Sequence, residues 1–538
     1  MDSKSKSRAD TLPGGAPPPP RRARWSFSYR NPSAAGVCTQ ESPLVPSKNG
    51  DLWNDLTALH ATTEFRDRAV GQLSAAVQIP TETFDEMGPV GEDARWETRG
   101  PFVEHLKGGV PTCMKSRGLM DEWRRNEKLE LQKVNTYGLI YTWQGSDASL
   151  KPLLLMGHYD VVPVAPLSVD QWTFPPYSGH FDGESVWGRG SSDDKSGVIG
   201  ILTTIEVLLE KGFAPTRTIV LSFGFDEEGG GYQGLTDENI DMQGAGYLGP
   251  ALLERFGPDS FAMIVDEGVG FTETFGGIFA APGVAEKGSV NVNVEVQTPA
   301  SLPPHTSIGI LAALIVHLES NAPVPTLELG TPVFAMAQCI AAHAPEIPHK
   351  LKRAILRAPK SKRALKAAEE MLLTDKMFKA LVGTTQAVDL ISGGVKSNAL
   401  PEQALALVNH RIATQSSVNA TITRDAELTL EPAPITPNDA APYALLAGTI
   451  RATFHAARKD VKDTEIFVAP GIMTGNTDTR FNWELSEHIF RYGHNDMTDL
   501  DGGLGGIHTV NEHMVANAFV EMITFFTTLI LNADEAAL

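Results

Sequence analysis

Short, continuous apolar runs, each ending in a His or an acidic cluster, recur along the first half of this chain. Residues 153–157, 218–224 and 262–265 are such runs, and residues 198–209 between the first two have helical periodicity. Runs this short and this uniformly apolar fit strands buried on both faces, as in a parallel sheet covered by helices. The fold expected is therefore α/β, layered, with a mostly parallel central sheet. Ligands of such sheets lie beyond the carboxyl ends of the strands, and the polar clusters fall there.

The texture changes between residues 284 and 441. Residues 289–297 (SVNVNVEVQ) alternate as a half-exposed antiparallel strand does, residues 308–318 read as a helix, 350–381 as a basic, Ala-rich helical region, and 404–412 as another strand. This stretch is read as an inserted, smaller α+β domain. The catalytic domain would then comprise residues 48–283, with an atypical segment at 107–126, and be completed by 442–538. Residues 53–77 read as helical and 134–143 as a strand. Residues 1–47, with Pro17 to Pro20 followed by Arg21, Arg22 and Arg24, lack the apolar run of a signal peptide or anchor and read as a disordered tail. The apolar stretch 515–531 carries Asn517, Glu521 and Thr524, so a buried helix is expected there and no membrane span.

The chain has 538 residues and a formal net charge of −20, from 65 acidic and 45 basic residues. That length calls for more than one domain, and that charge argues against a nucleic-acid partner. Three cysteines, Cys38, Cys113 and Cys339, are scattered and odd in number. They suggest no disulfide framework and no CxxC zinc site, so any metal would depend on His and carboxylates.

Five stretches supply such ligands: Gly157-His158-Tyr159-Asp160, Gly188 to Lys195 (GRGSSDDK), Asp226 to Gly230 (DEEGG), Asp266-Glu267-Gly268, and His508 to Glu512 (HTVNE). Alone, each is a turn or a solvated pair. Together, two His and several carboxylates at successive strand ends match the N and O donors that two zinc ions take without cysteine. His158 and Asp160, two apart in an extended segment, share a face, so one can bind metal while the other orients it. Glu227 and Glu228 point in different directions, so one can ligate while the other faces substrate.

These residues, with VNTYGLIYTWQGSD, LMGHYDVVPV, PPHTSIG, LVGTTQAVDLI, GGVKSNALPE, VNHRIA, LEPAPITP and APGIMTGNTDTR, resemble the metallopeptidase family of aminoacylase, succinyl-diaminopimelate desuccinylase and bacterial glutamate carboxypeptidase. Within it, the chain is most similar to the fungal carboxypeptidase S group and its animal relatives acting on N-acyl amino acids. The resemblance runs from about Glu41 to the C-terminus. It implies a di-zinc exopeptidase-like catalytic domain and a smaller domain of the lid or dimerisation type, hence a possible homodimer. It also implies two Zn²⁺ held by His158, Asp193, Glu228, Asp266 and His508, with Asp193 bridging. Asp160 would orient His158. Glu227 would be the general base for a zinc-bridging hydroxide that cleaves the amide before a C-terminal amino acid, in a short peptide or an N-acyl amino acid. Arg411, Gly475, Asn476 and Thr477 match positions that grip substrate, and a guanidinium suits a free carboxylate. The vacuole is the compartment the resemblance implies.

One departure bears on activity. The family's smaller domain carries a His that helps stabilise the tetrahedral oxyanion, and the run Thr298 to His305 (TPASLPPH) lacks it, since His305 belongs to the following PPHTSIG motif. Loss of one such donor typically slows turnover by about 10²–10³. The alternative expectation is therefore a catalytically impaired or non-catalytic metal-binding homologue.

Overall fold

The computed structural model describes residues 36–106, 129–229, 242–298, 304–421, 428–458, 464–498 and 506–538. The atypical 107–126 segment, Cys113 and the position of the missing His lie outside them.

The apolar runs form the middle of an eight-stranded mixed sheet. Leu153–His158 sits between Ile219–Gly224 and Met263–Asp266, parallel to both, and Met263–Asp266 pairs in parallel with Ile489–Arg491. Alternate side chains serve opposite layers, as a strand's period of two dictates. Leu153 and Leu155 enter a core shared with Ile201, Ile205 and Phe526, whereas Leu154 and Met156 join Leu248 and Leu252 on the other face. The first layer is made by helices Thr63–Val77, Lys195–Glu210 and Ala516–Glu535, and the second by Ala245–Phe256. Each fully buried Leu or Ile contributes about 1.5–3 kcal/mol through removal from water, so burial on both faces holds the strand ends rigidly.

The helix Ala516–Glu535 is long and apolar enough to span a bilayer, yet 89% of its apolar window is buried within the protein. It packs on Lys195–Glu210 and Ala441–Ala457 as a core helix.

A second, antiparallel sheet of four strands has the order Thr385–Gly393, Gln403–Ile412, Gly288–Gln297, Leu428–Leu430. Helix Ser307–Ser320 covers one face through Leu311 on Ala404 and Ala406. Strand Gly283–Glu286 of the central sheet leads through Lys287 alone into Gly288–Gln297. The helices between Pro332 and Val382 form a further layer whose core includes Phe279, Ala285, Ala469 and Ile472.

Three expectations change. Residues 134–143 are two antiparallel strands, Leu129–Val134 and Gly138–Trp143, with a turn in which Asn135 and Thr136 adopt φ of 43° and 69°. Residues 36–47, expected to be part of a disordered tail, are held in place: Leu44 N–H donates to Gly448 O at 2.8 Å and the Asn532 amide donates to Leu44 O. The Gln40 side chain meanwhile pairs both N–H and C=O of Val468. The cysteines do form a bond: Cys38 is disulfide-linked to Cys339 across 301 residues. Spacing in the sequence could not reveal that pairing, because it is created by the docking of this N-terminal strap on helix Pro332–His343.

Candidate active site

His158 ends its strand at the carboxyl edge of the sheet and is buried. Its Nε2 lies 3.1 Å from Asp193 Oδ1 and 3.5 Å from Glu267 Oε2, and its Nδ1 lies 3.3 Å from Asp160 Oδ1. Asp193 stands just ahead of helix Lys195–Glu210. Its other oxygen, Oδ2, is 3.2 Å from His508 Nε2. One carboxylate thus faces two imidazoles with one oxygen each. Glu228 Oε2 approaches the same His508 nitrogen at 3.0 Å.

Glu227 and Glu228 occupy a single 3₁₀ turn, Glu227–Gly229, and diverge. Ligand atoms of His158, Asp193 and Glu228 lie within 4.8 Å of one another, and so do those of His158, Glu227 and Glu267. Asp160 is fully buried and does more than orient His158. Its Oδ1 accepts the Glu227 backbone N–H and its Oδ2 that of Glu228, both at 3.1 Å. One side chain therefore sets the His158 ring and the loop carrying both glutamates.

Asp266 ends its strand as expected but belongs to neither group of three; its Oδ2 has no hydrogen-bond partner. Glu267, one residue past the strand end, is the acid that reaches His158. The motif Asp266-Glu267-Gly268 drew attention to the pair, but the direction of a residue beyond a strand terminus cannot be read from its spacing.

Burial and crowding of like charges shape the titration of this cluster. Burial, then the neighbouring Asp193, pushes Glu228 up to about 7. Burial likewise raises Asp266 to about 6. Glu227 and Glu267 are held well above the usual carboxylate range by burial, with their mutual repulsion adding to Glu227. Hydrogen bonds to Asp193 and Glu228 push His508 up to about 10, although half of its side chain (51%) is exposed. Carboxylates that raise one another beside two imidazoles form a donor set suited to a multivalent cation.

Two glycines make this packing possible. A Cβ on Gly157 would meet Asp194 Oδ2 at 2.6 Å, and one on Gly197 would meet Asp194 Oδ1 at 2.3 Å. Asp194 fills that gap, fully buried, and takes a hydrogen bond from the backbone of His158.

The expected substrate-gripping residues form a connected group at the boundary of the two sheets. Arg411 Nη1 donates to Asn476 Oδ1 at 2.7 Å, and Asn476 Nδ2 donates to Lys287 O at 2.6 Å. Thr477 Oγ1 donates to Glu286 Oε1 at 2.6 Å, and Glu286 is buried against Arg491 at 3.2 Å. Gly475 has open space where a side chain would be. Sequence reasoning gave no role to Glu286, Arg491 or Glu512, whose significance lies entirely in long-range contacts.

The sequence profile described as Peptidase family M20/M25/M40 matches residues 154–532. The chain belongs to this family. It is 36% identical to carboxypeptidase S of Saccharomyces cerevisiae, over 97% of this chain and 93% of that one. It is 32% identical to human N-fatty-acyl-amino acid synthase/hydrolase PM20D1, over 86% of this chain and 87% of that one. Among solved structures, human carnosine dipeptidase 1 superposes with a TM-score of 0.60 at 15% identity, covering 92% of this chain and 100% of that one. An M20 family metallo-carboxypeptidase of Sulfolobus solfataricus, Sso-CP2, gives 0.56 at 15% identity, covering 87% and 99%. The fold is thus that of M20 peptidases, and the chain is a metallopeptidase.

Proposed function

We propose that this M20 peptidase hydrolyses the amide bond before a C-terminal amino acid, in short peptides or N-acyl amino acids, with two zinc ions. The observation that carries the reading is Asp193, whose two oxygens face His158 and His508 separately. The donor set fits metal: two imidazoles and buried, mutually raised carboxylates, with no thiolate, suit zinc. His158, Asp193 and Glu267 would hold one ion, with the buried Asp266, whose Oδ2 has no partner, as the alternative acid, and Asp193, Glu228 and His508 the other. Bound there, the ions supply Lewis acidity and bring a water's pKa towards neutrality.

The chain's own groups do the rest. Glu227, kept basic by burial and its acidic neighbours, takes the proton of the attacking water and passes it to the departing amine. Asp160 keeps His158 and the Glu227 backbone in register. Arg411 and the Gly475-Asn476-Thr477 segment would grip the substrate's carboxylate, the Arg411 guanidinium exchanging its Asn476 partner for a two-pronged contact. Carboxypeptidase S and the fatty-acyl-amino acid hydrolase support the two substrate classes by their names alone.

The smaller sheet serves in this reading as a lid and as a homodimer face. Its edge strand Thr385–Gly393 exposes Leu390 and Ile391, and helix Ser307–Ser320 exposes Leu314 and Val316. The Cys38–Cys339 bond supports folding in an oxidising lumen on the way to the vacuole. Exposed Asn419, in an Asn-Ala-Thr sequon, agrees with that route.

The test is release of a C-terminal residue from a panel of blocked dipeptides and N-acyl amino acids, with zinc quantified. Glu227→Ala is expected to keep two equivalents of zinc and lose turnover; retained turnover would remove Glu227 from the mechanism. Wild-type chain that is zinc-loaded yet inert across the panel would favour the impaired homologue.

A further inference from the structure

Asp160 has one more hydrogen bond, and it leads away from the metal cluster. Its Oδ2 accepts the Thr83 hydroxyl at 2.7 Å. Thr83 sits in a segment laid along Val161, with Val161 N–H donating to Thr81 O and Thr83 N–H donating to Val161 O. Behind Thr83 stands Arg99, whose side chain is 0% exposed and whose Nη2 donates to Thr83 Oγ1. A guanidinium has no acceptor, so the Thr83 hydroxyl takes a hydrogen bond from Arg99 and must give its own proton to Asp160. The direction of the chain Arg99 to Thr83 to Asp160 is therefore fixed by chemistry.

The remaining Arg99 donors reach the backbone of both loops around the site. Nη1 donates to Glu82 O at 2.8 Å, to the neighbouring Thr98 Oγ1 at 2.9 Å and more distantly to Arg95 O, and Nε and Nη2 approach Phe225 O at 3.4 Å, one residue before Asp226. The Trp96 ring stacks 4.8 Å from the guanidinium. Among the described residues, no carboxylate forms a direct ion pair with Arg99. Asp160 is the acid whose charge it feels most. A buried cation placed one hydroxyl away from a buried anion is poorly explained as simple packing.

We infer that Thr83 and Arg99 are positioning residues of the metal centre. They hold the Asp160 carboxylate in the one orientation that serves His158 Nδ1 and the Glu227 and Glu228 backbone N–H groups together. Without the hydroxyl, the carboxylate is free to turn, and the His158 ring and both glutamates lose their common reference. Outer partners of metal ligands typically change metal affinity or activity by about 10–100-fold. The inference rests on the proposed metal site, and metal binding tests it without any substrate.

The experiment titrates full-length chain with Zn²⁺ against a chelating indicator, for wild type, Thr83→Val, Thr83→Ser and Arg99→Lys, and records melting of the metal-free forms. Thr83→Val keeps the shape and removes the hydroxyl, so zinc affinity is expected to fall by about 10–100-fold. Thr83→Ser, which restores the hydroxyl, is expected to stay within about threefold of wild type on the same scale. Arg99→Lys keeps the charge but cannot serve these acceptors in a fixed fork, and should lie between. In active preparations the loss is expected in kcat and not in KM. The inference is overturned if Thr83→Val binds zinc as wild type does, or if Thr83→Ser falls as far as Thr83→Val. It is equally overturned if affinity is lost only in variants whose metal-free form has unfolded, or if wild type binds no zinc. Metal binding by wild type without hydrolysis would sink the proposed function alone.

Discussion

Glu512→Gln should damage this protein far beyond what its conservative appearance suggests. Glu512 is buried on the segment that carries His508, and its Oε2 accepts Arg189 Nη1 at 2.7 Å. Its Oε1 accepts the backbone N–H groups of Ser192 and Asp193 at 3.0 and 3.1 Å. The glutamine oxygen can keep the two backbone donors, but its NH₂ then faces Arg189, donor against donor. Arg189 is itself buried, with its guanidinium 5.4 Å from the Trp172 ring, so solvent does not rescue the stranded charge. Breaking a buried ion pair in this way costs about 3–5 kcal/mol. Weakening the Asp193 tether should also lower zinc affinity by about 10–100-fold.

The assay is urea unfolding of metal-free protein at pH 8, read from the midpoint shift of the main transition at constant slope. Burial raises the Glu512 carboxyl above its ordinary value while Arg189 draws it back, so alkaline pH keeps the pair charged. Arg189→Met added to Glu512→Gln removes the stranded cation, and the two changes should then be non-additive by about 2 kcal/mol. A shift worth less than about 1 kcal/mol, or strictly additive changes, would refute the claim that this pair locks the Asp193 loop.

Two further outcomes are expected. His60 is buried, bonded through Nδ1 to Thr524 at 3.0 Å and pushed down to about 3 by burial. Its folded value lies below the unfolded 6.5, so stability is lost as pH falls from 6.5 to 3, by roughly 5 kcal/mol in all. His60→Phe should make that acid limb shallower by about one proton, and an unchanged pH dependence of unfolding would exclude the assignment. Replacing Cys38 and Cys339 by Ser should lower stability by about 2–5 kcal/mol, because the bond closes a very long loop. Zinc content and kcat should be unchanged; thiol titration of the unreduced parent should find Cys113 alone, and three titrating thiols would contradict the pairing.

Much of the site was legible because its signals are local. Strands Leu153–His158 and Ile219–Gly224 are mostly apolar and buried throughout, and each hands directly over to candidate ligands, so neighbours in sequence are neighbours at the sheet edge. The same locality explains what was missed. The Asn135–Thr136 turn is flanked by strand-forming residues and lacks the Asn-Gly or Asp-Gly signal of a tight hairpin, so two strands read as one. The approach of Glu267 to His158 was not foreseen, because a residue one step past a strand has no periodicity to fix its direction. Arg99, Glu512 and the Cys38–Cys339 pair act across distances that no spacing rule covers.

The separation of the two imidazoles has a consequence for the life history of the molecule. His508 meets Glu228 from 280 residues further along the chain. A growing polypeptide emerges in order, so every other residue proposed to hold metal leaves the ribosome before His508 does. The helix Ala516–Glu535, which seals the sheet's main hydrophobic layer, follows later still. A chain ending before His508 would lack the imidazole that faces Asp193 Oδ2 and Glu228 Oε2. If His508 holds metal as proposed, hydrolysis would begin only after the chain has been made through this segment and it has folded back onto Asp193 and Glu228.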